Sequence, residues 1–245
     1  MRITRYQFLK WHLFISICIS IVALLWVFNI WYPSPLAKAT DVLYIFLMLL
    51  GIDVILGPLL GFIVYREKKK TLKFDLAIIF LFQCAALIYG LYSISQARPA
   101  WIVYNVDRFE LVRKNEIIQN HISQAKQQFQ SPSWLKPQFV AVKFASNSEE
   151  RNQNMFEEVF AGISLAQRPE RYVNFAQAKV QIKQRAKNLE ELKDYNNEKS
   201  VMDALAKYPK ANAFLPLKAN EIDMTVLVNK NTGEVVKIVD LRPWK

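Results

Sequence analysis

Asp53 is the residue whose chemistry and place conflict most. It is the only charge in the apolar stretch 42–65. A carboxylate near the centre of a bilayer costs roughly 2.5–3.5 kcal/mol on insertion scales, so it must face protein or water and find a partner. Gln83 lies at similar depth in a second apolar stretch, 76–97, and can offer an amide donor. Gly57-Pro58 follows Asp53 by one turn, and a proline there kinks the helix and frees a carbonyl one turn back. Gly57 and Gly61 form a small-xxx-small pair, with Gly51 on a nearby face, and such residues let another helix approach closely. Three readings follow. Asp53 and Gln83 form a polar clasp between two spans of this chain. Alternatively Asp53, Gly57, Pro58, Gly61 and Gln83 make a contact for a partner's transmembrane helix. Proton or ion conduction is the third, and one acid in three helices is thin for such a path.

Elsewhere the residue types do not assemble into an active site. His12 and His121 have no second His, Cys or carboxylate at metal-ligand spacing, and HExxH is absent. Both read as isolated structural or surface histidines, and no metal site is expected. There is no GxSxG, Walker or Rossmann glycine pattern, and 6 glycines leave little room for a phosphate-cradling loop. Cys18 and Cys84 both fall in apolar stretches, so no thiol redox pair exists and the rest of the chain folds without disulfides. The paired acids Glu149-Glu150, Glu157-Glu158 and Glu190-Glu191 sit in charge-mixed, helix-like stretches and read as solvated faces. No catalytic residue, cofactor or small-molecule substrate is expected.

Three long apolar runs must position Asp53 and Gln83. Residues 13–32 carry no charge, with Trp11 at one end and Trp31-Tyr32 at the other, before Pro33 and Pro35 stop the helix. With 42–65 and 76–97 these are expected to cross a membrane as an up-down-up hairpin, since about 20 residues span the hydrocarbon core. An Ala37-Lys38-Ala39 triplet resembles a signal-peptidase site, but the apolar run before it is too long and too distant, so the first span is expected to stay. The net charge of +11 suggests nucleic acid until it is sorted by position. Arg2, Arg5 and Lys10 precede the first run, and Arg66, Lys68, Lys69, Lys70 and Lys73 lie between the second and third. Both basic segments are therefore expected to face the cytoplasm, with the remainder of the chain outside it, and nucleic-acid binding is not expected.

Residues 98–245 have soluble composition. Strands are expected at 101–106, 109–112 and 139–144, and a terminal hairpin at 225–228 and 235–239. Helices are expected over 116–130, over 148–163 with Met155, Phe156, Val159 and Phe160 at helical spacing, and twice over 171–208, broken near Asn196-Asn197. The fold class is thus a hairpin of three transmembrane helices (1–97) followed by a soluble α+β domain (98–245), the first and last strands sharing one sheet.

In order along the chain, these features resemble the type IV pilin accessory proteins of the TfpX/TfpZ type. The matching pieces are the basic start and first span ending Trp31-Tyr32-Pro33, Gly51-Ile52-Asp53-Val54-Ile55-Leu56-Gly57-Pro58-Leu59-Leu60, Lys70-Thr71-Leu72-Lys73-Phe74-Asp75-Leu76, Gln83-Cys84-Ala85-Ala86-Leu87-Ile88-Tyr89-Gly90, Ala97-Arg98-Pro99, Tyr104-Asn105-Val106-Asp107-Arg108-Phe109, Phe214-Leu215-Pro216-Leu217-Lys218-Ala219 and Arg242-Pro243-Trp244. Each is short, and about 119–210 has few such anchors. The resemblance implies a multi-pass inner-membrane protein of Gram-negative bacteria, with a cytoplasmic N-terminus and a periplasmic C-terminal domain. It implies a non-enzymatic chaperone whose partners are the bilayer and the major type IV pilin, met through the pilin's helix and head. A membrane-anchored extracytoplasmic sensor, or a structural subunit of an envelope assembly, is the alternative.

Overall fold

The computed structural model describes residues 4–143, 147–149, 152, 155–156, 160 and 162–245. Among the described residues, three helices are long and apolar enough to cross a membrane: Arg5–Trp31, Val42–Val64 and Leu72–Gln96. The first starts two turns earlier than its apolar run because Thr4 and Gln7 form a reciprocal capping box. Its regular part, α1 (Arg5–Trp26), passes into a π-helical turn, Val27–Trp31, where the Asn29 side chain reaches back to the Leu25 carbonyl.

A short helix, α2 (Leu36–Ala39), and the second span, α3 (Val42–Val64), follow. The third span is α4 (Leu72–Gln96). α3 packs against both α1 and α4. Neighbours run antiparallel, as the short connections require. Tyr6 and Phe8 at the start of α1 meet Phe62 and Tyr65 at the end of α3, with ring centroids 5.5 and 5.0 Å apart. At the other end the Tyr32 hydroxyl donates to the Ile94 carbonyl at 2.9 Å. Residues 33–41 and the large C-terminal unit therefore share one side of the hairpin, and residues 65–71 lie on the other.

That C-terminal unit is an α+β fold around one seven-stranded sheet, as expected. Its strands are β1 (Pro99–Asn105), β2 (Arg108–Arg113), β3 (Gln138–Val142), β4 (Tyr172–Asn174), β5 (Ala213–Lys218), β6 (Met224–Asn229) and β7 (Glu234–Val239). Their order is β4-β3-β1-β2-β5-β6-β7, with β1/β3 and β2/β5 parallel and the other pairs antiparallel. All of β1 is buried, because both faces of the central sheet are covered. On one face Trp101 meets Phe129 and Tyr172 edge-on. On the other, Ile102 and Tyr104 join a core that includes Leu215, Met224 and Val226.

Leu36 and Ala39 of α2 belong to that second core, at 2% and 0% exposure. The Ala39 carbonyl accepts from the backbone N–H groups of Glu221 and Ile222, and Lys38 pairs with Asp240 at 2.6 Å. The loop between the first two spans is thus built into the domain that follows the third. Ala39 lies in a packed core, not in an open cleavage site.

Several local expectations are corrected. Residues 116–130 form no continuous helix. They contain a 3-10 turn, Ile122–Gln124, and one turn of helix, α5 (Gln127–Gln130). Ile117, Ala125 and Phe129 are all drawn onto the Trp101 face of the sheet. Residues 171–208 open as strand β4, and α-helix is confined to α6 (Lys179–Arg185) and α7 (Glu198–Ala206), with 3-10 turns at Phe175–Ala178 and Leu189–Asp194. The break before α7 is where Asn196-Asn197 places it, with Asn197 as N-cap. Of the expected 148–163 helix, residues 148, 149, 152, 155, 156 and 160 are helical and 162–163 are not, and the other positions, including Val159, lie outside the described residues.

Burial also sets an alkaline limit. Desolvation pushes the Tyr104 hydroxyl up to about 12, and raises that of Tyr172, which donates to the Ala166 carbonyl, well above its ordinary value. Both are neutral in the fold where the unfolded chain would ionise them. Their contribution is complete below the unfolded value of about 10 and is lost as pH rises through the folded value. The melting temperature should therefore fall between neutral pH and about pH 11, and Tyr104→Phe should flatten part of that slope.

Candidate functional site

The polar residues of the spans meet where all three helices approach. Gln83 of α4 donates its amide to the Asp53 backbone carbonyl of α3 at 3.2 Å. Its own oxygen lies 2.9 Å from Nε2 of His12 on α1, which must then be the donor nitrogen. Pro58 explains why a spare donor is useful here. It has no N–H for the Val54 carbonyl and loosens this turn of α3, and Gln83 supplies a donor to the adjacent carbonyl. His12 and Gln83 thereby tie the first and third spans to the kink of the second.

The glycines make this geometry possible. A Cβ on Gly57 would lie 1.6 Å from Gln83 Nε2, and one on Gly61 would lie 2.8 Å from a ring carbon of Phe8 and 3.1 Å from His12 Nδ1. Gly57, Pro58 and Gly61 are all buried against the chain's own α1 and α4. Gly51 is different, since nothing stands within 4 Å of its added Cβ.

Asp53 shares the Gly57 face, one turn along α3. It is half-buried, and among the described residues no side chain donates to its carboxylate. The expected bond from Gln83 goes to the Asp53 main chain instead. His12 is the titratable group that faces this carboxylate electrostatically. Of the five residues singled out from the sequence, the structure thus joins Gln83, Gly57 and the Asp53 backbone. It packs Pro58 and Gly61 beside them and leaves the Asp53 carboxylate over.

His12 is the member that sequence reasoning missed. The available signal was depth: a histidine inside the helical reach of the first span meets the same demand for a partner as Gln83.

Outside the membrane, two features stand out. Glu110, 5% exposed on β2, accepts from Asn105 at 2.9 Å, Arg108 at 3.2 Å and Ser164 at 2.6 Å. This network pins the β1–β2 hairpin, whose tip residue Val106 has φ 57°, a left-handed conformation that β-branched residues rarely adopt. Second, a cleft of about 560 Å³ lies where Pro33 to Leu36 meet β7, Phe139 and Phe175, rimmed by Lys136, Lys179, Lys237 and Glu234. β7 is the last strand of the sheet, so it has an unpaired edge.

Comparison with known proteins gives this arrangement its context. The chain is 31% identical over 229 residues to the fimbrial assembly protein of serogroup I from Dichelobacter nodosus, covering 90% of this chain and 89% of that one. The serogroup E1 protein of the same organism matches equally well. The chain belongs to the fimbrial assembly protein family. A shorter relative, from serogroups C1 and C2, is 33% identical over 116 residues, 46% of this chain and 88% of its own length. The family model described as fimbrial assembly protein FimB matches residues 3–40, which run through the first span into α2. No solved structure matches the chain. Membership accords with the resemblance to type IV pilin accessory proteins, and the three spans make this family member a multi-pass membrane protein.

Proposed function

We propose that this protein is a membrane-embedded factor for type IV pilus assembly that binds the major pilin and chaperones it toward the fibre, without catalytic chemistry of its own. Family membership supports the role in fimbrial assembly. The observation that carries the pilin reading is Asp53, a half-buried carboxylate within a span to which no side chain among the described residues donates. A partner helix bringing a donor to Asp53 relieves the cost of keeping that acid in the membrane.

In this proposal Gly57 and Gly61 serve the scaffold, while Asp53 meets the pilin helix. The cleft beside the β7 edge, with Lys179 and Lys237 at its rim, is a surface for the pilin head. The basic N-terminus and the 65–71 loop favour an inner-membrane orientation with these segments cytoplasmic and the sheet domain periplasmic.

In-cell photocrosslinking from position 53, with lipid-facing Val22 as control, tests the idea. Recovery of the pilin from 53 but not from 22 is the expected result. Asp53→Asn should leave the bundle folded and lower pilin capture at least about tenfold, the loss of one charged hydrogen bond. Equal capture by Asp53→Asn and wild type would remove Asp53 from the contact.

A further inference from the structure

The segment 131–137, Ser-Pro-Ser-Trp-Leu-Lys-Pro, joins α5 to β3 and ends in two large apolar side chains that the domain does not cover. Trp134 is 57% exposed and Leu135 51%. On a domain surface facing only water, adjacent exposed Trp and Leu would be an aggregation liability. Their surroundings define another solvent.

Two span ends clamp this loop. Trp31, the last residue of the first span, donates its indole N–H to the Trp134 carbonyl at 3.1 Å, and the two rings stand edge-to-face 5.6 Å apart. Arg98, two residues beyond α4, is 1% exposed and donates from Nη2 to the Ser133 carbonyl at 2.6 Å. Its guanidinium lies 6.0 Å from the Trp134 ring. Leu135 N–H bonds to the Ser133 hydroxyl, and Ser133 N–H to the Gln138 side chain, so the loop is shaped before anything binds it.

The depth of this tip follows from the helices. Trp31 also meets Trp26 edge-on at 6.3 Å, and Trp26, 41% exposed, lies on the outward face of α1 roughly 7.5 Å deeper by helical rise. Trp26, Trp31 and Trp134 thus form an aromatic ladder that climbs out of the apolar zone and ends in this loop. Trp and Lys side chains favour the headgroup level, Trp as an amphipathic ring and Lys as a cation beside lipid phosphate. Lys136 is exposed at the same tip.

We infer that the 133–137 loop is an interfacial anchor, which inserts Trp134 and Leu135 at the headgroup–acyl boundary and sets Lys136 against lipid phosphates. It fixes the sheet domain against the bilayer at a third point, beside the ends of α1 and α4. The occupant is phospholipid because the apolar tip continues the lipid-facing surface of α1 at the same level.

The test uses the full chain in vesicles of phosphatidylethanolamine and phosphatidylglycerol. A nitroxide is placed on Leu135→Cys in a Cys18→Ser, Cys84→Ser background, with the same label at Val22 and at Asn231 as membrane and water references. At 135, oxygen accessibility should approach that at 22, and accessibility to a water-soluble nickel complex should be severalfold below that at 231. Nickel accessibility equal to 231 places the tip in water and overturns the inference. Protection from both reagents overturns it in favour of a protein cover. In unlabelled protein, Trp134→Phe should reduce the fraction of fluorescence quenched by brominated lipid, and an unchanged fraction counts against the anchor.

Discussion

Gly57→Leu is expected to loosen the membrane bundle badly, while Gly51→Leu leaves it folded. The two glycines are six residues apart on α3 and look alike in sequence. Their surroundings differ completely. A Cβ at position 57 would fall 1.6 Å from Gln83 Nε2 and 1.9 Å from Gln83 Cδ, so Gln83 must leave. Its departure gives up the bond to the Asp53 carbonyl and the bond to His12, separating three helices at one point. Overpacking costs typically 1–3 kcal/mol, and interhelical hydrogen bonds in bilayers average about 0.6 kcal/mol each, so the total is on the order of 3 kcal/mol. At position 51 an added Cβ meets nothing within 4 Å. Thermal unfolding in detergent micelles should show a clearly lowered transition for Gly57→Leu and a nearly unchanged one for Gly51→Leu. If the two variants melted alike, the Gln83 clasp would not be what holds the kink.

The contrast also shows what one sequence can carry. Apolar length and charge placement are properties of continuous segments, so the three spans and their alternation were legible. So were β1, β2, β3 and the β6–β7 hairpin, whose β-prone runs and turn Asn229-Lys230-Asn231-Thr232-Gly233 are local signals. β5 was not, because Pro216 interrupts a run that in the structure pairs with β2 only at Leu217 and Lys218. β4 is three residues long and takes its conformation from pairing with β3. At the site, sequence gave the depth of Asp53 and Gln83 and the small size of Gly57 and Gly61. It did not give azimuth. Which side of α3 faces α1, which faces α4 and which stays open depends on how all three helices pack, and no segment encodes that alone.

The loop between the first two spans was the least legible element, and it leads to the second large effect. Leu36→Ala is expected to cost about 3 kcal/mol, in the usual range for a buried leucine truncated in a core that relaxes only partly. Leu36 is 2% exposed among residues from β1, β2, β5 and β6, yet it comes from a nine-residue connection between membrane helices. Sequence proximity assigns it to the membrane hairpin, whereas packing assigns it to the sheet domain. The cavity left by alanine therefore weakens the domain and its attachment at once, since α2 is joined directly to α3 through Thr40 and Asp41. Thermal unfolding should shift down, and protease should cut residues 33–41 faster than in wild type. Lys38→Ala removes only the exposed ion pair with Asp240, and such pairs contribute little, so neither readout should move appreciably. If Leu36→Ala and Lys38→Ala behaved alike, α2 would be a surface tether and not part of the core. If instead Leu36→Ala unfolded the sheet domain while the membrane hairpin kept its helicity, the hairpin would be the independent unit. The sheet domain would then depend on it for a piece of its own core, which makes the membrane loop a requirement for folding as well as a connection.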